Sequence, residues 1–323
     1  MTGIAPVNQD TSVRLAAFEW LESRQVEYGD VLPRQIIQKG FIHNRQRVPL
    51  LGPQGIFKPK IIPEIPISIT TSPKGPYDDS FGSDGFLLYR YRGSDPQHHE
   101  NVGLRKAFST RTPLIYFHGV VPGKYLAVWP VYIIDDLPVK LAFKVAVDDM
   151  TYLDRIRAGP HDTGMVSYEN TDSRRAYITS KVRQRLHQRG FRERVLSAYK
   201  DQCALCRLRH RELLDAAHII PDSEPDGKPI VKNGIALCKL HHAAFDSFFI
   251  GIRPDFKVVV RPDVLDETDG PMLRYGLQEL QHTRMLIPRK IDLRPNAGFL
   301  ARRWERFVAI ALKDNDEGVS QLT

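Results

Sequence analysis

The sequence is most informative between residues 203 and 246, where it reads CALC at 203–206, DAAHIIP at 215–221 and NGIALCKLHHAAFD at 233–246. The first and last segments contain all three cysteines of the chain, in one Cys-x2-Cys pair and one Cys-x2-His pair. Two such pairs supply the soft and borderline donors of a closed, tetrahedral zinc site. The spacing therefore predicts a structural Zn²⁺ ion bound by Cys203, Cys206, Cys238 and His241.

The composition favours a folded protein with a polyanionic partner. Hydrophobic residues make up 42% of the 323 residues, and the net charge of +8 corresponds to a pI of about 9.3. A basic balance of this kind favours binding to nucleic acid. No apolar run approaches the ~20 residues that a membrane span needs, and residues 1–10 lack the order of a signal peptide. We therefore expect a cytoplasmic protein without a membrane partner.

The length allows roughly two domains at about 150 residues each. Residues 1–150 predict a mostly β domain, with a helix at 11–26 and short strand-like runs at 65–71, 86–91, 114–117, 125–134 and 140–147. Residues 151–182 are polar and predict a linker. Residues 183–323 then form the second domain, and the predicted fold class is α+β.

A basic run precedes the cysteine motif. Nine Lys or Arg residues stand against two acidic residues between positions 183 and 211. A solvated helix face has the same composition, but the position just before a metal motif favours contacts with DNA phosphates. The candidate residues for these contacts are Arg183, Arg185, Arg192 and Arg194.

The segment 192–249 resembles the HNH nucleases of the ββα-metal fold, because the order His, Asn, His lies inside the Cys-x2-Cys and Cys-x2-His frame. The resemblance implies that His218 is the general base for the attacking water and that Asn233 holds either the loop or the imidazole of His218. It also implies that His242 binds a catalytic divalent cation such as Mg²⁺ or Mn²⁺. Asp246 is one helical turn further on, so we expect it to be a second ligand.

One position departs from the family pattern. Many members carry an acidic residue or a histidine just before the base, as a further metal ligand, whereas this chain has Ala217. Asp215 is the candidate substitute. The departure also keeps open the hypothesis of a catalytically inactive, zinc-containing DNA-binding protein.

In the N-terminal half, the segment 77–93 resembles the SET- and RING-associated (SRA) domain, through a Tyr-Asp-Asp run, an Asp-x-Gly-type turn and a Tyr-x-Gly ending. The resemblance implies an SRA-like β-barrel that flips a modified cytosine out of the duplex. Asp79 would accept the exocyclic amine, while Tyr77 and Tyr91 would stack on the base. Arg92 departs from the family pattern, and an ordinary Asp- and Gly-rich turn between two strands would have the same composition.

Together, the two resemblances predict a modification-dependent restriction endonuclease that acts on double-stranded DNA carrying 5-methylcytosine or a related base. One HNH site cuts one strand, so a double-strand break requires a homodimer or two binding events. A second hypothesis is an HNH endonuclease whose N-terminal half recognises an unmodified sequence or a DNA structure.

Overall fold

The computed structural model describes residues 9–72, 82, 84–147, 171–268 and 270–313. The chain divides into two compact units, Met1–Leu186 and His187–Thr323. No helix in the described ranges is long and apolar enough to cross a membrane.

The N-terminal unit is built around a seven-stranded sheet that curls into a half-barrel. Its helices are α1 (Gln9–Tyr28), α2 (Arg34–Lys39) and α3 (His99–Thr110). Its strands are β1 (Val31–Pro33), β2 (Phe41–His43), β3 (Gln46–Val48), β4 (Ile56–Phe57), β5 (Ser68–Thr71), β6 (Leu87–Arg90), β7 (Leu114–Val121), β8 (Lys124–Leu137) and β9 (Ala142–Val147). The sheet order is β4-β5-β7-β8-β9-β6, with β1 paired to β8, while β2 and β3 form a separate hairpin.

Both faces of this sheet are buried. Along β7, Leu114 and Tyr116 belong to one hydrophobic core, whereas Ile115 and Phe117 belong to the other. Successive side chains of a strand point to opposite faces, so this alternation places one core on each side of the sheet. The predicted helix and the five predicted strands are all present, and the mixed α+β class is confirmed.

A fourth helix, α4 (Thr171–Ala198), begins inside the segment predicted to be a linker. The boundary between the two units falls within this helix, after Leu186. Ile178, Val182 and Leu186 repeat every four residues and pack against a core of the N-terminal unit. Because charged residues surround this sparse apolar stripe, composition alone indicated a polar connector. The earlier part of the predicted linker lies outside the described residues.

The C-terminal unit contains an antiparallel hairpin of β10 (Leu214–His218) and β11 (Gly234–Cys238), followed directly by α5 (Lys239–Asp246). The remaining elements are β12 (Ile250–Ile252), β13 (Val258–Val260), α6 (Pro262–Asp266), α7 (Pro271–Gly276) and α8 (Ala297–Lys313). The hairpin and α5 form the ββα arrangement that the HNH resemblance implies.

The last helix, α8, is an integral part of the C-terminal core. Leu300 and Phe307 lie on its buried face. A Cβ atom at Gly251 in β12 would lie 2.6 Å from the ring of Phe307, so only glycine allows this close approach.

Candidate active site and metal centre

Four side chains of the C-terminal unit converge on one point, and we name them the Cys3His cluster: Cys203, Cys206, Cys238 and His241. Their ligand atoms all lie within 4.8 Å of one another. The Sγ atoms of Cys203 and Cys238 are 3.4 and 3.2 Å from Nδ1 of His241, and the Sγ atoms of Cys206 and Cys238 are 3.9 Å apart. A tetrahedron with Zn–S bonds of about 2.3 Å has edges of roughly 3.7 Å. The donors therefore fit a Zn²⁺ ion in type and in spacing.

A backbone carbonyl orients the histidine of the Cys3His cluster. Nε2 of His241 lies 2.7 Å from the carbonyl oxygen of Gly276, to which it donates, so Nδ1 faces the thiols with its lone pair. Hydrogen bonds from Cys206 and Cys238 lower the pKa of the Cys203 thiol. The pKa values of Cys206 and Cys238 are raised, chiefly by their hydrogen bonds with Cys203, so the three thiols together favour one thiolate, which is the form that binds a metal.

A second group lies on the other side of the same helix, at the positions where the HNH resemblance implies catalytic residues, and for that reason we name it the nuclease site: His218, His242 and Asp246. Nε2 of His242 is 3.2 Å from Oδ2 of Asp246, one helical turn away. This hydrogen bond is the main reason why the pKa of His242 is raised, against the effect of burial. Adjacent residues on a helix point in different directions, so His241 is 1% exposed whereas the side chain of His242 is 27% exposed.

His218 is the last residue of β10, and its ring stacks on Phe191 with centroids 4.0 Å apart. Burial lowers the pKa of His218, although the negative charges of Asp222 and Asp246 partly oppose this shift. Among the described residues, the buried Nε2 of His218 has no hydrogen-bond partner. The imidazole is therefore neutral at neutral pH, with a ring nitrogen that can accept a proton.

Asn233 is fully buried and holds the loop that follows His218. Its Oδ1 accepts a hydrogen bond from the Ile220 amide at 2.8 Å, and its Nδ2 donates to the Ile220 carbonyl at 3.0 Å. The backbone carbonyl of Asn233 also accepts from the Ile219 amide. Of the two roles that the resemblance implies for Asn233, these contacts correspond to holding the loop.

Asp215 lies beside the nuclease site. Its Oδ2 is 3.9 Å from Nδ1 of His242, and its Oδ1 is 3.3 Å from Nε of Arg192. Ala217 is completely buried in the hydrophobic core, so packing accounts for the residue at that position. Apart from the Cys3His cluster, no set of three His, Cys, Asp or Glu residues in the described ranges brings its ligand atoms as close together.

Two of the four arginines predicted to contact DNA are engaged inside the C-terminal unit. Arg192 donates to the carbonyl oxygens of Leu214 and Arg211, at 2.8 and 2.7 Å. Arg194 donates to the Pro229 carbonyl at 3.1 Å, and burial lowers its pKa. In the N-terminal unit, Arg185 is exposed but pairs with Asp30 at 2.6 Å, and Arg183 is partly exposed.

Sequence reasoning missed Arg303, which lies on α8 and is only 6% exposed. Its guanidinium contacts Asp246 and the carbonyl oxygens of Ile219 and Phe245. An arginine three residues after Leu300 and four before Phe307 lies on the apolar face of the helix. Its place on the apolar face was the feature of the sequence that could have identified Arg303, because a buried arginine needs hydrogen-bond or ion-pair partners.

Of the three residues predicted to read a modified base, Tyr91 lies in the described part of the chain. Tyr77 and Asp79 lie outside the described residues. Tyr91 is 3% exposed, and its ring packs on Phe143 with centroids 4.6 Å apart. The hydroxyl of Tyr91 donates to Asp136, and Nη2 of Arg105 lies 3.4 Å from the hydroxyl oxygen of Tyr91. The structure thus places Tyr91 in the core of the N-terminal unit.

Residues 203–253 match a family model described as HNH endonuclease. The ββα arrangement and the nuclease site lie within or directly beside this match, so the chain carries an HNH endonuclease domain. The fold and site thus define a metal-dependent DNA endonuclease, and HNH domains use a divalent metal.

The solved structures that are similar to this chain at low identity include two restriction endonucleases. The modification-dependent TagI restriction endonuclease is 14% identical with a TM-score of 0.29, and the match covers 75% of this chain and 82% of that one. The Type IV phosphorothioation-dependent restriction endonuclease ScoMcrA is 16% identical with a TM-score of 0.20, and the match covers 56% of this chain and 48% of that one. No curated protein sequence matches the chain.

Proposed function

We propose that this endonuclease hydrolyses DNA that carries a modified cytosine, such as 5-methylcytosine, with the nuclease site cutting and the N-terminal unit selecting the target. The observation that carries the catalytic part is the neutral His218 beside the His242–Asp246 pair. A base and a cation site at one place are what phosphodiester hydrolysis requires.

In the proposed reaction, the imidazole of His218 takes a proton from a water molecule as the water oxygen forms a bond to phosphorus. The bond between phosphorus and the leaving oxygen breaks, and the leaving oxygen takes a proton from a solvent water molecule. Asn233 keeps the residues after His218 in place while the proton moves. His242 and Asp246 would hold a divalent cation such as Mg²⁺ or Mn²⁺, with Asp215 as the proposed substitute for the ligand absent at Ala217. The cation supplies charge stabilisation on the phosphate.

We further propose that the Cys3His cluster binds a structural Zn²⁺ ion. Four protein donors fill a tetrahedral site, so no position is left for substrate. Its ligands come from the loop after α4, the end of β11 and the first turn of α5. The ion would therefore connect three parts of the C-terminal unit that local sequence alone does not hold together.

The proposal for the N-terminal unit rests on the SRA resemblance of residues 77–93, and the separate unit with its own curled sheet is consistent with a reader. For cleavage of both strands, we propose a homodimer, since one site cuts one strand. Light scattering would measure the mass in solution, and a strict monomer that makes concerted double-strand breaks would contradict the dimer.

The test is a cleavage assay on matched plasmids that carry 5-methylcytosine, 5-hydroxymethylcytosine, phosphorothioate linkages or no modification, in Mn²⁺, Mg²⁺ or EDTA. We expect metal-dependent cleavage of the plasmids with modified cytosine, and a rate about 10²- to 10⁴-fold lower for the His218→Ala variant. Equal cleavage of the unmodified plasmid would support the nuclease activity and contradict the recognition of modified cytosine by the N-terminal unit. Selective cleavage of the phosphorothioate plasmid would reject cytosine modification as the signal.

A further inference from the structure

The C-terminal helix α8 carries a guanidinium group into the interior of the nuclease unit. The Cζ atom of Arg303 lies 3.9 Å from the ring centroid of Phe245 and 4.8 Å from that of Phe248. Burial lowers the pKa of Arg303 to about 10, so the group is still positively charged at neutral pH. With its side chain almost fully covered, Arg303 does not offer its charge to a phosphate of bound DNA.

The contacts of Arg303 connect the two chemical parts of the nuclease site. Its Nη1 donates to the Ile219 carbonyl at 3.2 Å, and Ile219 directly follows the base His218. Its Nη2 donates to the Phe245 carbonyl at 2.7 Å and lies 3.5 Å from Oδ1 of Asp246. The opposite carboxylate oxygen, Oδ2, faces His242. One planar group therefore joins the backbone next to the base, the backbone next to the cation ligand, and the ligand itself.

We propose that Arg303 is a positioning residue for cation binding: it holds the Asp246 carboxylate in the orientation that a cation shared with His242 needs. This inference rests on the cation site in the proposed function. Groups that orient metal ligands in this way typically contribute about 10- to 100-fold in metal affinity or activity.

The sign of the effect separates this role from simple electrostatics. A positive charge next to a cation site repels the cation, so removal of the charge alone would tighten cation binding. Loss of an orienting contact would weaken cation binding instead. The two explanations of Arg303 thus predict opposite changes in the same dissociation constant.

The neighbouring Arg302 provides a matched control on the same helix. Its Nη2 pairs with Oε2 of Glu224 at 2.6 Å, and its side chain is 41% exposed. Arg306 contacts the same carboxylate through two hydrogen bonds, at 2.5 and 2.8 Å. Arg302 therefore matches Arg303 in charge and helix, and it also contacts the loop after His218, but its partners Glu224 and Asp226 are not residues of the nuclease site.

The experiment is a Mn²⁺ titration of the zinc-loaded full chain, in which the signal of free Mn²⁺ is followed by electron paramagnetic resonance. We compare the wild type with Arg303→Met, Arg303→Lys, Arg302→Met and His242→Ala. We expect Arg303→Met to raise the Mn²⁺ dissociation constant about 10- to 100-fold, and Arg302→Met to leave it within about twofold. Arg303→Lys keeps the charge but loses the planar fork, so it should also weaken binding.

Unchanged or tighter Mn²⁺ binding in Arg303→Met would overturn the positioning role. If that variant fails to fold, as judged by zinc content and thermal unfolding, Arg303→Lys decides: wild-type affinity would overturn the proposal. If the wild type binds no Mn²⁺, or if His242→Ala binds it equally well, the cation site itself is wrong. That outcome differs from a failure of the positioning role alone, because it is judged without any Arg303 variant.

Discussion

The Cys3His cluster and the nuclease site share helix α5, and they differ in how they are closed. The Cys3His cluster has four protein donors from nearby sequence, and its histidine is buried. The nuclease site has a pair of candidate ligands, a partly exposed histidine, and the candidate base on the neighbouring strand. The adjacent residues His241 and His242 of helix α5 therefore belong to two different centres, one closed by protein donors and one partly open.

The difference teaches what each centre requires from the fold. A closed site holds its ion with its own ligands, so the ion contributes directly to folding. An open site must leave positions for water and substrate, so its few ligands need support from outside. In this chain, the contacts of Arg303 and Asn233 give that support, and neither residue is a ligand in the proposed site.

The largest expected effect is on folding, from Cys206→Ser in the Cys3His cluster. Cys206 is exposed, so the substitution removes a donor with little loss of packing. Structural Zn²⁺ binding contributes about 10–16 kcal/mol in small zinc domains. We expect loss of zinc and of cooperative unfolding of the C-terminal unit, measured by metal analysis and circular dichroism. The exposed Arg209→Ala in the same loop is the control, and a cooperative, zinc-free Cys206→Ser protein would contradict the structural role.

The next effect is on chemistry alone, from His218→Ala in the nuclease site. Loss of a general base typically lowers the rate about 10²- to 10⁴-fold. Zinc content, thermal unfolding and Mn²⁺ affinity should stay close to wild type, because His218 is not a proposed ligand. His210→Ala, at an exposed position, is the matched control. A cleavage rate within about tenfold of wild type would mean that another group is the base.

A pH titration should distinguish the two histidines of the nuclease site. The pKa of His218 is lowered from 6.5, so at saturating Mn²⁺ the cleavage rate should fall only below pH 6.5, by up to about tenfold per pH unit. The pKa of His242 is raised, so protons compete with the cation at higher pH. At limiting Mn²⁺, the pH below which the cleavage rate falls should therefore be higher than at saturating Mn²⁺. An acid limb that does not depend on Mn²⁺ concentration would contradict this assignment.

The lowered pKa of His218 also makes the free energy of unfolding depend on pH. Between its folded pKa and 6.5, the folded protein binds fewer protons at this residue than the unfolded chain does. Its contribution to the free energy of unfolding therefore rises with pH through that window. Thermal unfolding of the wild type and His218→Ala at several pH values would measure this contribution.

The smallest effect concerns the N-terminal unit, where Tyr91→Phe should disturb neither centre. The variant loses the contacts of the hydroxyl with Asp136 and Arg105. We expect the free energy of unfolding to fall by about 1–3 kcal/mol, with the cleavage ratio of methylated to bare plasmid unchanged. The exposed Tyr177→Phe is the control. A changed cleavage ratio would show that Tyr91 takes part in reading the base, as the SRA resemblance implies.

Sequence reasoning succeeded where partners are close along the chain. The Cys3His cluster depends on two short spacings, and the His242–Asp246 pair depends on one helical turn, so both follow from local geometry. Sequence reasoning did not predict the helix α4, because charged residues outnumber the apolar residues of its stripe. It also did not predict the hydrogen-bond partners of Arg192. Those partners are backbone carbonyls, which no side-chain pattern reveals.

What the sequence by itself determined is the class of nuclease in the C-terminal unit, and its short spacings predicted the donor set of the cluster and the candidate residues of the nuclease site. Only the tertiary structure decided which residues support that site. Arg303 reaches Phe245 across 58 positions of the chain, and Asn233 reaches Ile220 across a loop. Contacts at such separations depend on how α8 and the hairpin pack, and that packing is set by the whole core rather than by any local spacing.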